Sequence, residues 1–131
     1  MDYKPRTVIF SLVGLNVPSL EVKNSLKEVV EKGLRARNIA FKHVVGSYKG
    51  TVENSIVAIV EDDVKLNYIR ALAFRHDDQE SILVINEDRT AYLEFNNGTT
   101  EKLGAFRHID ALKARELDAW TLDGSDYYAV I

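Results

Sequence analysis

Apolar and polar residues follow two different periods along this chain, and the switches between them divide it into elements. Residues 7–14, "TVIFSLVG", are β-branched, aromatic and almost continuously apolar, the composition of a strand buried on both faces. From residue 19 the period lengthens: Val22, Leu26, Val29, Val30, Gly33 and Leu34 recur at the spacing of one helix face. Ser19, after Pro18 and before Glu21, is placed to cap that helix. Arg35, Arg37 and Asn38 close it, with cations where the helix dipole favours them.

Strand-like runs follow at 39–48 and 55–60, and "EDD" at 61–63 caps a second helix over 64–76 with Leu66, Ile69, Leu72 and Ala73 on its apolar side. Residues 81–85 and 90–95 read as strands joined by the turn "NEDR". "NNG" at 96–98 leads into another strand at 101–106, because Asn-Gly supplies the backbone a hairpin turn requires. A short helix at 110–116 and a hairpin across Asp123-Gly124 finish the chain. The segment "GSYKGTVEN" at 46–54 reads as a turn longer than a tight hairpin needs, and it carries Tyr48 and Glu53.

The first four strands and two helices spell β-α-β-β-α-β. That order predicts an α+β, ferredoxin-like antiparallel sheet with both helices on one face and extra strands at the C-terminus. The apolar strands require the second face to be covered, by the C-terminal strands or by another subunit. The expectation favours a homo-oligomer formed through the sheet. Residues 1–131 are expected to form a single domain, the usual outcome for this length.

Composition narrows the partners. An apolar fraction of 46% and a charged fraction of 28% are those of an ordinary globular protein. The net charge of −3 lacks the basic excess of a nucleic-acid binder, so no nucleic-acid partner is expected. There is no cysteine, which rules out a disulfide or a thiol nucleophile and fits a reducing cytoplasm. The apolar run at 8–15 falls short of the ~20 residues of a membrane helix. Asn16 and Pro18 close it without a cleavage pattern. The expectation is a soluble, cytoplasmic protein with no membrane partner.

Few residues stand out as chemistry. His43, His76 and His108 share no metal-ligand spacing, and no phosphate loop, dinucleotide fingerprint or nucleophile elbow is present. "GLNVPS" after the first strand has a single glycine. The acidic groups at 61–63, 77–80 and 86–88 are accounted for as a cap, a loop and a turn. Glu53 differs, because it stands at the mouth of the 46–54 segment just before a buried strand. From the residues alone, a candidate site lies around Tyr48 and Glu53 and no reaction is specified.

Several segments taken in order resemble one family. "GSY" at 46–48 with the following Glu53, "ALAFRHDDQESILVI" at 71–85, "AYLEFNNGTTEKLGAF" at 91–106 and "DAWTLDG" at 118–124 are similar to the phage S-adenosylmethionine-degrading enzymes, long called hydrolases and later reinterpreted as lyases. The connection between Tyr48 and Glu53 is shorter than in some relatives. The resemblance implies a ferredoxin-like core assembled as a homotrimer with active sites between subunits. It also implies a lyase that needs no cofactor and no metal, and that disarms host methylation-dependent restriction by depleting its substrate.

On that resemblance Glu53 and Tyr48 are the expected catalytic pair. Glu53 holds the substrate's ammonium or sulfonium end, and Tyr48 offers a ring face to the cation. Ser47, Gln79, Phe106, Phe10 and Ser11 are the expected substrate-binding residues. Two other readings stay open: hydrolysis of S-adenosylmethionine with Glu53 as general base, and a non-catalytic trimeric sensor of nucleotides or amino acids. A phage-encoded inhibitor of another protein is compatible with the composition.

Overall fold

Alternating apolar residues at Val8, Phe10, Ile56, Ala58 and Val60 build one wall of the principal core, and the helices form because their own apolar faces complete it. The computed structural model describes residues 5–11, 20–48, 51–76 and 80–131, with the side chains of residues 20–26, 48, 51, 75 and 76 outside that description. The elements run β1 (Arg6–Ser11), α1 (Leu20–Ala36), β2 (Ala40–Tyr48), β3 (Thr51–Val60), α2 (Asp63–Arg70), a π-helical segment (Ala71–His76), β4 (Ser81–Ile85), β5 (Thr90–Phe95), β6 (Thr100–Ile109), α3 (Ala111–Glu116), β7 (Ala119–Asp123) and β8 (Asp126–Val130). Ser19 and the rest of residues 12–19 lie outside the described residues, as does Gln79.

The ferredoxin-like expectation is not met. The eight strands form one closed antiparallel barrel in the order β1-β3-β2-β7-β8-β6-β5-β4, with β4 returning to pair with β1. In the expected fold the sheet would end at β4 on one side and β2 on the other. Here β5 adds to β4 through the 86–89 turn, and β7 adds to β2. β8 then joins β7 to β6. Closure removes every free edge. The uncovered face that motivated oligomerisation through the sheet is thus the inside of the barrel.

The two faces of the closed sheet are distinct. Outside, Val30 and Leu34 of α1 and Leu66, Ile69, Leu72 and Ala73 of the second helical stretch pack on Val8, Phe10, Ile56, Ala58, Ile82 and Val84. α3 packs separately against Ile109 and Ala129, with Trp120 and Tyr127 at its margin. Inside, Ile9, Leu83 and Ile85 from β1 and β4 meet Phe106, Tyr128 and Val130 from β6 and β8. β1 and β8 are not neighbours in the sheet, so this contact crosses the lumen.

Local chemistry sets the element ends. Asp62 caps α2 by accepting from the Lys65 amide at 2.8 Å, and Asp110 does the same for α3 through Lys113 at 2.7 Å. Val29, expected on the apolar side of the first helix, is 64% exposed, whereas Val30 and Leu34 point into the core. The 46–54 segment is a continuous ladder rather than a long turn. Gly46 pairs with Glu53, Ser47 with Val52 and Tyr48 with Thr51, leaving only residues 49 and 50 between the strands.

Candidate active site

Strand register assembles a row of five residues inside the barrel. Glu53 on β3 lies directly opposite Gly46 on β2, and Gly46 lies opposite Thr121 on β7. Thr121 lies opposite Tyr128 on β8, and Tyr128 lies opposite His108 on β6. Directly opposed residues of antiparallel strands project to the same face, and Tyr128 fixes that face as the inner one. Glu53 and His108, at the two ends, are exposed, whereas Thr121 in the middle is buried.

The row is polar at one end and aromatic at the other. Tyr128 stacks on Phe106 with ring centroids 5.4 Å apart and planes 6° from parallel. His108 meets the Tyr128 ring edge-on at 5.3 Å and places Nε2 3.3 Å from Asp126 Oδ1. The Arg89 guanidinium lies 5.3 Å from the Phe106 ring centre, close enough for a cation–π attraction. Lys42, on the same face of β2 as Gly46, is ion-paired with Asp123. The inner surface therefore offers a carboxylate at its rim, hydroxyls behind it, and flat aromatic rings suited to stacking.

Gly46 is the one position of this row without a side chain. A Cβ built on it would stand 3.2 Å from Ser55 Oγ, tighter than ordinary van der Waals contact. Ser55 is two residues along β3 from Glu53, opposite Val44 on one side and Ser11 on the other. Glu53, Ser55 and Ser11 consequently share the inner face with Gly46 and Thr121.

The expected site residues fall into three groups. Glu53, Ser11 and Phe106 belong to the inner face, and Tyr48 occupies an inner-face register position, paired with Thr51 and Ala119. Ser47, opposite Val52 and Trp120, alternates to the outer face, and Phe10 is buried in the helix-covered core. Gln79 lies outside the described residues. Sequence reasoning did not single out Ser55, Thr121 or Tyr128. The alternation of "AWTLDG" before its turn marks Thr121 and Asp123 as one face, but only barrel closure brings that face to Gly46.

A second concavity lies outside the barrel. It is a groove of about 660 Å³ between α1 and β2, lined by Lys27, Glu31, Arg35, Phe41 and His43 among others. Glu31 in its lining bonds His43 Nε2 at 3.1 Å and Arg35 Nη2 at 3.3 Å, and among the described residues none of the expected site residues lines it. Among the described residues, no group of three or more His, Cys, Asp or Glu side chains is placed to hold a metal ion, and no helix is long and apolar enough to cross a membrane.

Comparison with known proteins adds one finding. The family model described as "S-Adenosylmethionine lyase family" matches residues 18–131, a span that includes every strand except β1. No curated protein matches the chain.

Proposed function

The chain belongs to the S-adenosylmethionine lyase family, enzymes that cleave S-adenosylmethionine, and we propose that it does so by intramolecular displacement. The substrate's carboxylate oxygen attacks its own γ-carbon as the bond from that carbon to sulfur breaks. The bonding pair leaves with sulfur, which becomes the neutral thioether of methylthioadenosine. The methionine portion closes into homoserine lactone. The sulfonium is already a good leaving group, so the scheme needs neither a proton donor nor water.

What the protein must supply is folding of the substrate and placement of charge. Holding oxygen, carbon and sulfur in line lowers the barrier by ~7–11 kcal/mol in favourable intramolecular systems. The observation carrying this reading is the cross-strand row that sets Glu53 beside Gly46 and Thr121. A carboxylate at the rim of a partly dry surface attracts the substrate's ammonium and sulfonium. The stacked Phe106 and Tyr128 rings suit the adenine. Tyr48, on the same face of β2 as Gly46, assists by cation–π attraction in this scheme.

The proposal includes a homotrimer with sites between subunits. Its support is that Glu53 is exposed and its neighbour Val52 is 61% exposed, whereas small-molecule sites bury most of their ligand. A second copy against this rim supplies the missing wall. Depletion of S-adenosylmethionine would disarm methylation-dependent restriction in a host cell, the biological role proposed here.

Proton NMR of a fresh reaction tests the chemistry. Methylthioadenosine appearing together with homoserine lactone is the expected result. Early homoserine with no lactone would establish hydrolysis instead, with Glu53 as the candidate base. Binding of S-adenosylmethionine without turnover would establish a sensor.

A further inference from the structure

Among the described residues, two buried hydroxyls inside the barrel have no hydrogen-bond partner. Ser55 is 4% exposed and Thr121 9% exposed, and among the described residues neither side-chain oxygen has a hydrogen bond. Buried polar groups are nearly always paired, so two exceptions in one place point to a missing partner. Both flank the same bare patch. Thr121 faces Gly46 directly from β7, and Ser55 Oγ lies over the position that a Cβ on Gly46 would crowd, from the β3 side. Gly46 is not among the glycines with positive φ. Its lack of a side chain is therefore spatial in effect: a Cβ there would press on Ser55 Oγ, and the bare backbone leaves that hydroxyl uncovered from the Gly46 side.

We propose that Ser55 and Thr121 form the subsite for the amino-acid end of S-adenosylmethionine, both donating hydrogen bonds to its carboxylate across the bare face of Gly46. The proposal rests on the lyase reading above. Charge sets the orientation. Glu53, opposite Gly46 in the same row, draws the ammonium and sulfonium and repels a carboxylate, which settles on the hydroxyls farther in. The nearby Lys42 is already ion-paired with Asp123, and His108 Nε2 already lies 3.3 Å from Asp126 Oδ1. Neutral hydroxyl donors also suit a carboxylate that must attack carbon. They orient it without the strong charge pairing of a guanidinium, which would stabilise the carboxylate and blunt its nucleophilicity.

Calorimetric titration with two probes tests the subsite. S-adenosylhomocysteine keeps the amino-acid end and lacks the sulfonium, whereas methylthioadenosine lacks the amino-acid end altogether. Ser55→Ala and Thr121→Val are each expected to weaken S-adenosylhomocysteine binding about tenfold or more and to leave methylthioadenosine binding within about twofold. Thr121→Ser keeps the hydroxyl and should retain affinity close to wild type. Unchanged S-adenosylhomocysteine binding in both deletion variants, or equal losses for the two probes, overturns the subsite. If wild type releases methylthioadenosine from S-adenosylmethionine while the variants show either pattern, the subsite alone falls. If wild type releases none, the lyase reading falls and the subsite with it.

Discussion

Arg70 grips Glu94 through two parallel hydrogen bonds, Nε to Oε2 at 2.6 Å and Nη2 to Oε1 at 2.8 Å, tying the end of α2 to β5. The Glu94 side chain is only 10% exposed and that of Arg70 34%. Removing one partner of a buried pair strands the other in a poor solvent and costs about 3–5 kcal/mol. Partial exposure of Arg70 lowers this, so Glu94→Ala is expected to destabilise by about 2–3 kcal/mol, read from urea unfolding midpoints at constant m-value.

The same pair gives a pH expectation. Hydrogen bonding to Glu94 raises the Arg70 pKa above its ordinary value, outweighing the opposing effect of burial. A raised folded-state pKa contributes stability that is fully present below the unfolded value and is lost only as pH climbs through the folded one. For a guanidinium both values are strongly alkaline. The destabilisation caused by Arg70→Met should therefore be equal at neutral pH and at a mildly alkaline pH, as measured by urea unfolding at each. A cost that shrinks on moving to the alkaline condition would contradict this assignment.

Gly33 and Tyr68 form the close contact between α1 and α2. A Cβ on Gly33 would overlap the Tyr68 hydroxyl, and the Arg37 guanidinium covers the same ring at 3.7 Å from its centroid. Alanine is the better helix former by about 1 kcal/mol, but overpacking costs about 1–3 kcal/mol. Gly33→Ala is thus expected to destabilise the wild type modestly. In a Tyr68→Phe background the clashing oxygen is gone, and the same substitution should become neutral or stabilising. A thermal-melting double-mutant cycle measures that change of sign.

Much of the element pattern was legible because it is local. The Asp62 cap, the 86–89 turn and the 96–98 turn announce themselves through side chains that act on their own backbone. Thr90, for example, donates its amide to Asp88 Oδ1 at 3.0 Å. Closure was not legible, because β2 meets β7 across more than seventy residues of chain and no residue type marks that pairing. The 46–54 segment misled for a related reason. Its polar residues look like a turn, yet they pair strand to strand, and Glu53 takes an inner-face position opposite Gly46 near the barrel's mouth. Glu53 and Tyr48 were singled out from the residues of that segment, and the resemblance gave them their expected roles. Thr121 and Ser55 become candidates only once register sets them around Gly46.

Glu53→Gln separates charge from shape at the proposed site. The amide is nearly isosteric, and the residue is exposed, so stability should stay within about 0.5 kcal/mol of wild type. If the carboxylate holds the cationic end of the substrate in the reactive pose, its loss should lower turnover by about 10²–10³, the scale for removing one preorganised electrostatic group. Methylthioadenosine release under saturating substrate is the measurement. Activity close to wild type in a folded variant would remove Glu53 from the mechanism.

Barrel closure depends on the last strand, and that dependence is testable by truncation. β8 is hydrogen-bonded to β7 on one side and β6 on the other. Beyond it Ile131 exchanges two backbone bonds with Ala105, at 3.1 and 2.9 Å. Removing residues 126–131 would expose the ladder edges of β6 and β7 and delete Tyr128, whose ring packs on Phe106 inside the lumen. Unpaired edges invite association with other chains, and the interior loses an aromatic side chain worth about 3–5 kcal/mol when fully truncated. That approaches the whole stability of an ordinary domain. The truncated chain is expected to lose its cooperative unfolding transition and to aggregate. Backbone amides of β8 in the intact protein should exchange with solvent as slowly as those of β1 and β3. Fast exchange throughout β8, with slow exchange in β1 and β3, would show that the barrel opens at β8 and that Thr121 is not held in a fixed row.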